Sequence, residues 1–139
     1  KTGNWSYVCD DIKAVVDVTH AASRKVKVIF ENCYLTDDEK VQLCRICTDA
    51  GADWVKTSTG FGTGGATMDD LKLMVDNTPD HLQVKAAGGV RDFEKLKLVR
   101  DLGVTRCGAS ATKIMLDECR KQLDLQPIDV SDGAANSGY

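Results

Sequence analysis

The chain repeats one pattern four times, and this repeat limits the folds that are open to it. Each unit has a short apolar run typical of a strand and a segment whose apolar residues recur every three to four positions, as in a helix. Strands are predicted at residues 25–30, 53–56, 81–85 and 104–107. Helices are predicted at residues 10–22, 36–50, 67–77, 92–102 and 111–123. Because each helix returns the chain to the same end of the sheet, the four strands must be parallel.

Turn and cap residues support these boundaries. Thr36 and Glu39 form the Thr-x-x-Glu pattern of a capping box, and Thr67 and Asp92 are predicted to cap the next two helices. Gly51 is placed to end the second helix in the left-handed conformation. The loops that follow the strands therefore gather at one rim, where (β/α) barrels and doubly wound sheets hold their active sites.

The length of the chain fits about half of a barrel. An eight-stranded (β/α)8 TIM barrel takes roughly 250 residues, whereas this chain has 139 residues and four visible strands. We therefore predict an α/β fold of the TIM barrel family, with residues 1–126 as a half-barrel domain and residues 127–139 as a flexible tail. Two open sheet edges favour a homo-oligomer or pairing with a missing N-terminal half.

Composition and charge argue against several kinds of partner. The net charge is −3 at pH 7 and no basic cluster is present, so no nucleic-acid partner is expected. No apolar run approaches the roughly 18 residues that a membrane span needs. No secretory signal is visible, although the chain begins with Lys1 and not with Met. We expect a cytoplasmic protein without a membrane partner.

Six cysteines leave two interpretations open. Cys44 and Cys47 have the spacing of a zinc or redox pair, but they lie within a predicted helix and the other four cysteines form no second pair. Those four are Cys9, Cys33, Cys107 and Cys119. The favoured interpretation is that all six are small apolar core residues in a reducing compartment.

Two lysines at the ends of neighbouring strands indicate chemistry. Lys56 and Lys85 each close an apolar run and lead into a glycine-rich turn. A lysine with the ordinary pKa near 10.4 is almost wholly protonated at pH 7, which makes it a poor nucleophile. A second ammonium about 5 Å away lowers such a pKa by roughly two units, and burial adds to this. We therefore expect Lys56 to be an imine-forming amine; the alternative is that both lysines extend into solvent.

Glycine-rich turns follow the last two strands. Gly88 and Gly89 precede Asp92, and Gly108 and Ser110 precede the final helix, so backbone N–H groups are expected at two helix N-termini. The loops after the last strands of a barrel frequently hold a substrate phosphate. These turns therefore predict a phosphate cradle, and tight packing without a ligand is the alternative.

The first strand and the two histidines give weaker signals. Lys27 lies on the odd-numbered side of its strand, which is expected to face a polar barrel interior or solvent. Glu31 ends that strand and is interpreted as an ion-pair partner, with proton transfer beside Lys56 as the alternative. His20 and His81 have no companions that would complete a metal site, and both are interpreted as structural.

Several motifs together resemble those of the deoxyribose-phosphate aldolases. The motifs are Asp53-Trp54-Val55-Lys56-Thr57-Ser58-Thr59-Gly60-Phe61, Gly64-Gly65-Ala66-Thr67, Val84-Lys85-Ala86-Ala87-Gly88-Gly89-Val90-Arg91 and Arg106-Cys107-Gly108-Ala109-Ser110. The match runs essentially from end to end, and even the stretch Lys1-Thr2-Gly3-Asn4-Trp5 resembles the one that follows the family's fourth barrel strand. The resemblance implies the C-terminal four βα units of a TIM barrel. The family's proton-relaying aspartate belongs to the half that would precede Lys1.

The resemblance also implies a role for each candidate residue. It makes Lys56 the Schiff-base lysine and Lys85 the group that depresses the pKa of that lysine, and it adds Lys27 to the catalytic neighbourhood. It assigns phosphate binding to Gly60, Gly88, Gly89, Gly108 and Ser110. Tyr139 matches the terminal tyrosine that helps proton transfer in some members, and a plain flexible terminus is the alternative.

The implied reaction is the reversible cleavage of 2-deoxy-D-ribose 5-phosphate to D-glyceraldehyde 3-phosphate and acetaldehyde. A lysine imine accepts the electrons of the broken bond, so no metal or cofactor is expected. Two alternatives stay open. One is a non-catalytic half barrel that only binds phosphate, and the other is a related lysine-dependent aldolase that uses pyruvate or dihydroxyacetone phosphate as its donor.

Overall fold

A computed structural model describes residues 2–128 of the chain. Five α-helices are present in this part: α1 (Trp5–Ala21), α2 (Asp37–Ala50), α3 (Met68–Asp76), α4 (Phe93–Asp101) and α5 (Thr112–Gln122), and a short 3₁₀ helix spans Asn32–Tyr34. Four strands alternate with them: β1 (Lys27–Ile29), β2 (Trp54–Lys56), β3 (Gln83–Ala87) and β4 (Arg106–Gly108). The predicted tail at residues 127–139 lies outside the described residues from position 129 onward.

The four strands form one parallel sheet in the order β1-β2-β3-β4. Each neighbouring pair is joined through a helix, which is the arrangement that a (β/α) barrel uses. The predicted fold class, an α/β fold of the TIM barrel family with four βα units, is therefore confirmed. Strands β1 and β4 lie at the two edges of the sheet.

The two faces of the sheet differ in chemistry. On one face Val55, Val84 and Ala86 are almost completely buried and join the apolar core beneath the helices. The core also contains Leu71 and Met74 of α3. The alternate strand positions lie on the opposite face and are mostly polar: Lys27, Trp54, Lys56, Gln83, Lys85 and Arg106. The sheet is therefore apolar toward its helices and cationic on the other side.

The predicted caps form as expected. Thr36 accepts a hydrogen bond from the Glu39 N–H while the Glu39 carboxylate accepts one from the Thr36 N–H, which completes the capping box. Thr67 and Asp92 cap α3 and α4 with their side chains. Gly51 ends α2 with φ at 77°.

A buried ion pair joins α2 to α3. The Lys40 ammonium lies 2.6 Å from Asp70 Oδ1 and 2.9 Å from Asp37 Oδ1, and its side chain is only 9% exposed. Burial alone would lower the pKa of Lys40, but the hydrogen bonds to Asp70 and Asp37 outweigh burial and raise it. Lys40 therefore stays charged between these two helices.

The first helix begins earlier than predicted. It begins at Trp5 and not at residue 10, because the Asn4 side chain caps it by accepting a hydrogen bond from the Tyr7 N–H at 3.3 Å. Ile12 and Val16 are buried against the core, whereas Val15, although apolar, is 53% exposed.

Strand boundaries also differ from the predicted ones. Strand β3 begins at Gln83, two residues later than expected, because a turn closes there with a hydrogen bond from the Leu82 N–H to the Pro79 carbonyl. His81 therefore lies in this turn. Strand β1 is shorter than predicted and leaves Lys25 outside the sheet, and β4 is displaced toward Gly108.

The cysteines are not all core residues. Cys44 and Cys47 are completely buried, and burial raises the pKa of each thiol to about 12, which makes both poor metal ligands and nucleophiles. Cys33, in contrast, is exposed, so the prediction of a core role is wrong for this residue. Within residues 2–128, no helix is long and apolar enough to cross a membrane.

Asp53 links the turn before β1 to the start of β2. Its Oδ2 atom accepts a hydrogen bond from the Val26 N–H at 2.7 Å and lies 3.0 Å from His20 Nε2. Burial favours the neutral acid, but the hydrogen bonds from His20 and Val26 outweigh burial and lower the pKa of Asp53 below its ordinary value of 3.8. His20 thus has a structural partner, as predicted.

The Asp53→Asn variant tests this link. A carboxylate whose pKa is lowered by folding stabilises the protein above the pKa of the unfolded chain and loses that contribution as the pH falls through the folded pKa. We expect the variant to be about 1–2 kcal/mol less stable than wild type at neutral pH. The difference, measured by urea unfolding, should shrink toward zero in acid. A difference that does not change with pH would contradict the assignment.

Candidate active site

Three cations lie side by side at the carboxyl ends of the strands. In the register of the sheet Lys56 pairs with Lys85, and Lys85 pairs with Arg106. Neighbouring strands in a sheet are about 4.8 Å apart, so the three side chains leave the sheet next to one another on the same face. The two lysines predicted from the sequence are therefore neighbours, and Arg106 is a third member of the row.

Lys27 lies one level below this row. It pairs in register with Trp54, and its ammonium lies 5.6 Å from the centre of the Trp54 ring. Burial lowers the pKa of Lys27, and the positive charges of Lys85, Arg106 and Lys56 lower it further. The structure thus places Lys27 among the other cations and not on the helix side of the sheet.

An open cavity of about 590 Å³ lies at this rim. It is lined by residues from the β2, β3 and β4 ends and the loops that follow them: Lys56, Thr59, Gly60, Phe61, Lys85, Ala87, Gly88, Gly89, Val90, Arg91, Gly108, Ala109 and Ser110. Lys56, Lys85 and every predicted phosphate-binding residue are in this lining. Lys27 is not, and Tyr139 lies outside the described residues.

Close backbone contacts explain the glycines after β3. Gly88 and Gly89 have φ angles of 76° and 77°, which disfavour any residue with a side chain. A Cβ atom at Gly89 would lie 2.9 Å from the Ala66 carbonyl oxygen, and one at Gly65 would lie 2.8 Å from the Gly88 carbonyl carbon. The loop after β2 therefore lies directly against the loop after β3.

Gly108 leaves room for the Lys85 side chain. A Cβ atom at this position would lie 3.3 Å from Lys85 Cε and 3.5 Å from Lys85 Nζ. The ammonium of Lys85 therefore passes over the bare backbone of β4, where a larger residue would displace it.

Thr57 holds the ends of β2 and β3 together. Its hydroxyl accepts a hydrogen bond from the Ala87 N–H at 3.1 Å and donates one to the Ala87 carbonyl at 3.2 Å, and the residue is completely buried. The Thr57 N–H also donates to the Lys85 carbonyl. Sequence reasoning missed this role, although Thr57 directly follows the lysine that was singled out.

Glu31 has a different partner from the one expected. Its carboxylate accepts hydrogen bonds from the Thr59 N–H at 3.1 and 3.2 Å and from the Thr59 hydroxyl. Among the described residues it makes no ion pair with Lys56 or any other cation, so the ion-pair interpretation is wrong. Glu31 instead fixes the loop that carries Gly60 and Phe61.

The two predicted helix N-termini are not equivalent. The Asp92 side chain caps α4 by accepting a hydrogen bond from the Lys95 N–H at 2.7 Å. Helix α5 begins after Ala111 without any side-chain cap, directly behind Ala109 and Ser110 of the cavity lining. The end of α5 is therefore the better candidate for binding an anion through backbone N–H groups.

A second cavity, of about 760 Å³, lies beside α5 and has the opposite character. Its charged lining contains four carboxylates and one lysine: Asp92, Asp117, Glu118, Asp124 and Lys121. Such a lining repels phosphates. In the part of the chain that the structure describes, no group of three or more His, Cys, Asp or Glu side chains is arranged to hold a metal ion.

Comparison with known proteins shows that the chain is similar to aldolases in both sequence and fold. The chain is 57% identical over 138 residues to the deoxyribose-phosphate aldolase of Rhodopirellula baltica, which covers 99% of this chain and 57% of that protein. An aldolase called QR15 superposes with a TM-score of 0.77 at 33% identity, covering 88% of this chain and 55% of that one. The tetrameric deoxyribose phosphate aldolase of Aeropyrum pernix superposes with a TM-score of 0.73 at 30% identity, covering 86% and 51%. No protein-family model matches. The chain thus spans little more than half the length of these relatives.

The contact between the two loops is testable with a matched pair of glycine variants. Gly89 and Gly51 have the same φ of 77°, but a Cβ atom at Gly51 meets nothing within 4 Å. Gly51→Ala is expected to lower the free energy of unfolding by about 1–2 kcal/mol, because alanine is strained in the left-handed conformation. Gly89→Ala must also displace the Ala66 carbonyl and should cost clearly more in urea unfolding. Equal losses would show that the loops do not touch as described.

Proposed function

The chain belongs to the deoxyribose-phosphate aldolase family, and we propose that it carries the lysine chemistry and the phosphate site of such an enzyme. The proposed reaction is the reversible cleavage of 2-deoxy-D-ribose 5-phosphate to D-glyceraldehyde 3-phosphate and acetaldehyde. The observation that carries the proposal is that Lys56, Lys85 and the glycine turns line one cavity. An aldehyde and a phosphate of one small molecule can therefore be held at the same time.

Lys56 is the proposed nucleophile. Its neutral amine attacks the aldehyde carbon of the open-chain sugar, and loss of water leaves a protonated imine. Lys85 is the register partner of Lys56 on the neighbouring strand and is proposed to assist the nucleophile from there. Gly108 supports this role because its lack of a side chain lets the Lys85 ammonium stay in position.

The protonated imine is the electron acceptor for bond cleavage. As the hydroxyl proton on the third sugar carbon leaves, the bond between the second and third carbons breaks and its electron pair forms an enamine. D-Glyceraldehyde 3-phosphate departs, protonation of the enamine restores the imine, and water releases acetaldehyde and the Lys56 amine. Lys27 is a proposed proton carrier beneath the row of cations. The role of Tyr139 in proton transfer stays a prediction.

The substrate phosphate is proposed to lie at the opposite end of the cavity. Backbone N–H groups of Gly60, Gly88, Gly89, Gly108 and Ser110 surround it, and the uncapped start of α5 adds the positive end of a helix dipole. Arg91 also lines the cavity and contributes a positive charge that the sequence analysis did not assign. The family resemblance and the local geometry favour the same residues.

The open sheet edges favour an assembly. Within residues 2–128, strands β1 and β4 have no neighbouring strand on one side, and Ile29, on the cationic face, is 44% exposed. We propose that further strands cover this face, supplied by a second copy or by a companion N-terminal half. The tetrameric relative from Aeropyrum pernix is consistent with an oligomer.

Trapping of the imine tests the proposed nucleophile. The protein is incubated with deoxyribose 5-phosphate and borohydride, and the adduct is located by intact mass and peptide mapping. We expect one adduct, confined to the peptide that contains Lys56 and absent from Lys56→Arg. Lys85→Met should form it more slowly, by on the order of tenfold to a hundredfold, because the neighbouring charge is lost. Lys72→Arg, at an exposed site on α3, is the matched control.

Two outcomes would contradict the aldolase proposal. Calorimetry that detects sugar-phosphate binding by folded protein without any adduct would favour the non-catalytic half barrel. Preferential trapping of pyruvate or dihydroxyacetone phosphate over acetaldehyde would favour a related aldolase with a different donor.

A further inference from the structure

Arg106 has no assigned role, yet it occupies a defined place among the lysines. It is the register partner of Lys85 at the end of β4. Its guanidinium carbon lies 4.2 Å from the centre of the Trp54 ring, which is a stacking distance for arginine on an aromatic face. Trp54 is only 6% exposed, so it offers a firm surface for this contact.

Hydrogen bonds hold the Trp54 ring in one orientation. The Trp54 Nε1–H donates to Gln83 Oε1 at 2.9 Å, and the Thr105 hydroxyl donates to the same oxygen at 3.0 Å. A ring that is tied at its edge cannot turn away from Arg106. Arg106 and Lys27 therefore approach the same ring, at 4.2 and 5.6 Å from its centre.

Among residues 2–128, the charged groups that act on the Lys27 amine are cations. Lys56 faces it from β2, Lys85 from β3 and Arg106 from β4, while Lys25 lies over the Trp54 ring at 5.0 Å. The carboxylate of Asp53 lies 3.9 Å from Lys25 and bonds to His20. Within residues 2–128, no carboxylate forms an ion pair with Lys27 or Arg106.

Arginine differs from the lysines in one decisive respect. A lysine in a row of cations can lose its proton and so relieve the repulsion, whereas a guanidinium keeps its charge at every pH at which a protein is folded. Arg106 is therefore the fixed charge in the group. Repulsion from it acts on Lys27 whichever lysine is protonated.

We propose that Arg106, held on the Trp54 ring, is a positioning residue that brings a permanent positive charge to the group of cations that contains Lys27. A neutral Lys27 can accept a proton during the imine chemistry, and this use of the amine rests on the proposed function. The charge effect itself depends only on the arrangement of Lys27, Trp54 and Arg106. Arg106 needs no contact with the substrate.

The experiment measures the titration of Lys27 directly. Lysines of the folded protein are reductively methylated with ¹³C-formaldehyde, the Lys27 signal is assigned with Lys27→Arg, and its midpoint is followed by NMR as the pH changes. We expect the midpoint to move upward in Arg106→Gln and in Arg106→Met, which keeps an unbranched stem on the ring without the charge. Arg106→Lys retains a cation that can itself lose its proton, so it should move the midpoint upward by less than Arg106→Gln does.

Arg100→Gln is the matched control for loss of one positive charge, since Arg100 is exposed on α4 and pairs with Asp101. It should leave the Lys27 midpoint unchanged. The proposal is overturned if both neutral variants at position 106 leave the midpoint unchanged, or if Arg106→Lys moves it as far as Arg106→Gln. The titration requires no turnover, so absence of a trapped imine would overturn the proposed function without altering this result.

Discussion

The parallel register of four strands is the constraint on which the site depends. It aligns Lys56, Lys85 and Arg106 at the same level and sends their side chains to the same face. A shift of one residue in β2, β3 or β4 would turn one of these cations toward the apolar core, where an unpaired charge is costly. Thr57 secures the register at this point by bonding to both backbone atoms of Ala87. Chemistry and folding are therefore specified by the same contacts.

A cluster of like charges costs free energy, and the surroundings of the cluster reduce that cost. The row lies beside an open cavity, where water screens the repulsion. The Trp54 ring offers its electron-rich face to Arg106 and Lys27. What remains of the repulsion lowers the pKa of Lys27, the proposed proton carrier, together with burial. A bound phosphate would complete the charge balance, which connects the positive face to an anionic substrate.

Local patterns predicted most of the fold and the core of the site. The capping box at Thr36, the helix end at Gly51 and the lysines at the strand ends all depend on neighbours in sequence. The contact of Glu31 with Thr59 and that of Arg106 with Trp54 could not be predicted, because they join residues that are far apart in the sequence. The predicted start of β3 was wrong because the Leu82 N–H donates its hydrogen bond to the Pro79 carbonyl, so Leu82 belongs to a turn and not to the strand.

The most direct test of the central claim is a titration of ¹⁵N-labelled protein with deoxyribose 5-phosphate, followed through backbone amide shifts. We expect the amide shifts of Thr59 and Gly60, of Gly88 and Gly89, and of Gly108 to Ser110 to change together, with the same affinity at all of these residues. This result would show that the three loops form a single site for one molecule. Changes confined to the acidic cavity beside α5, or different affinities for different loops, would contradict the account.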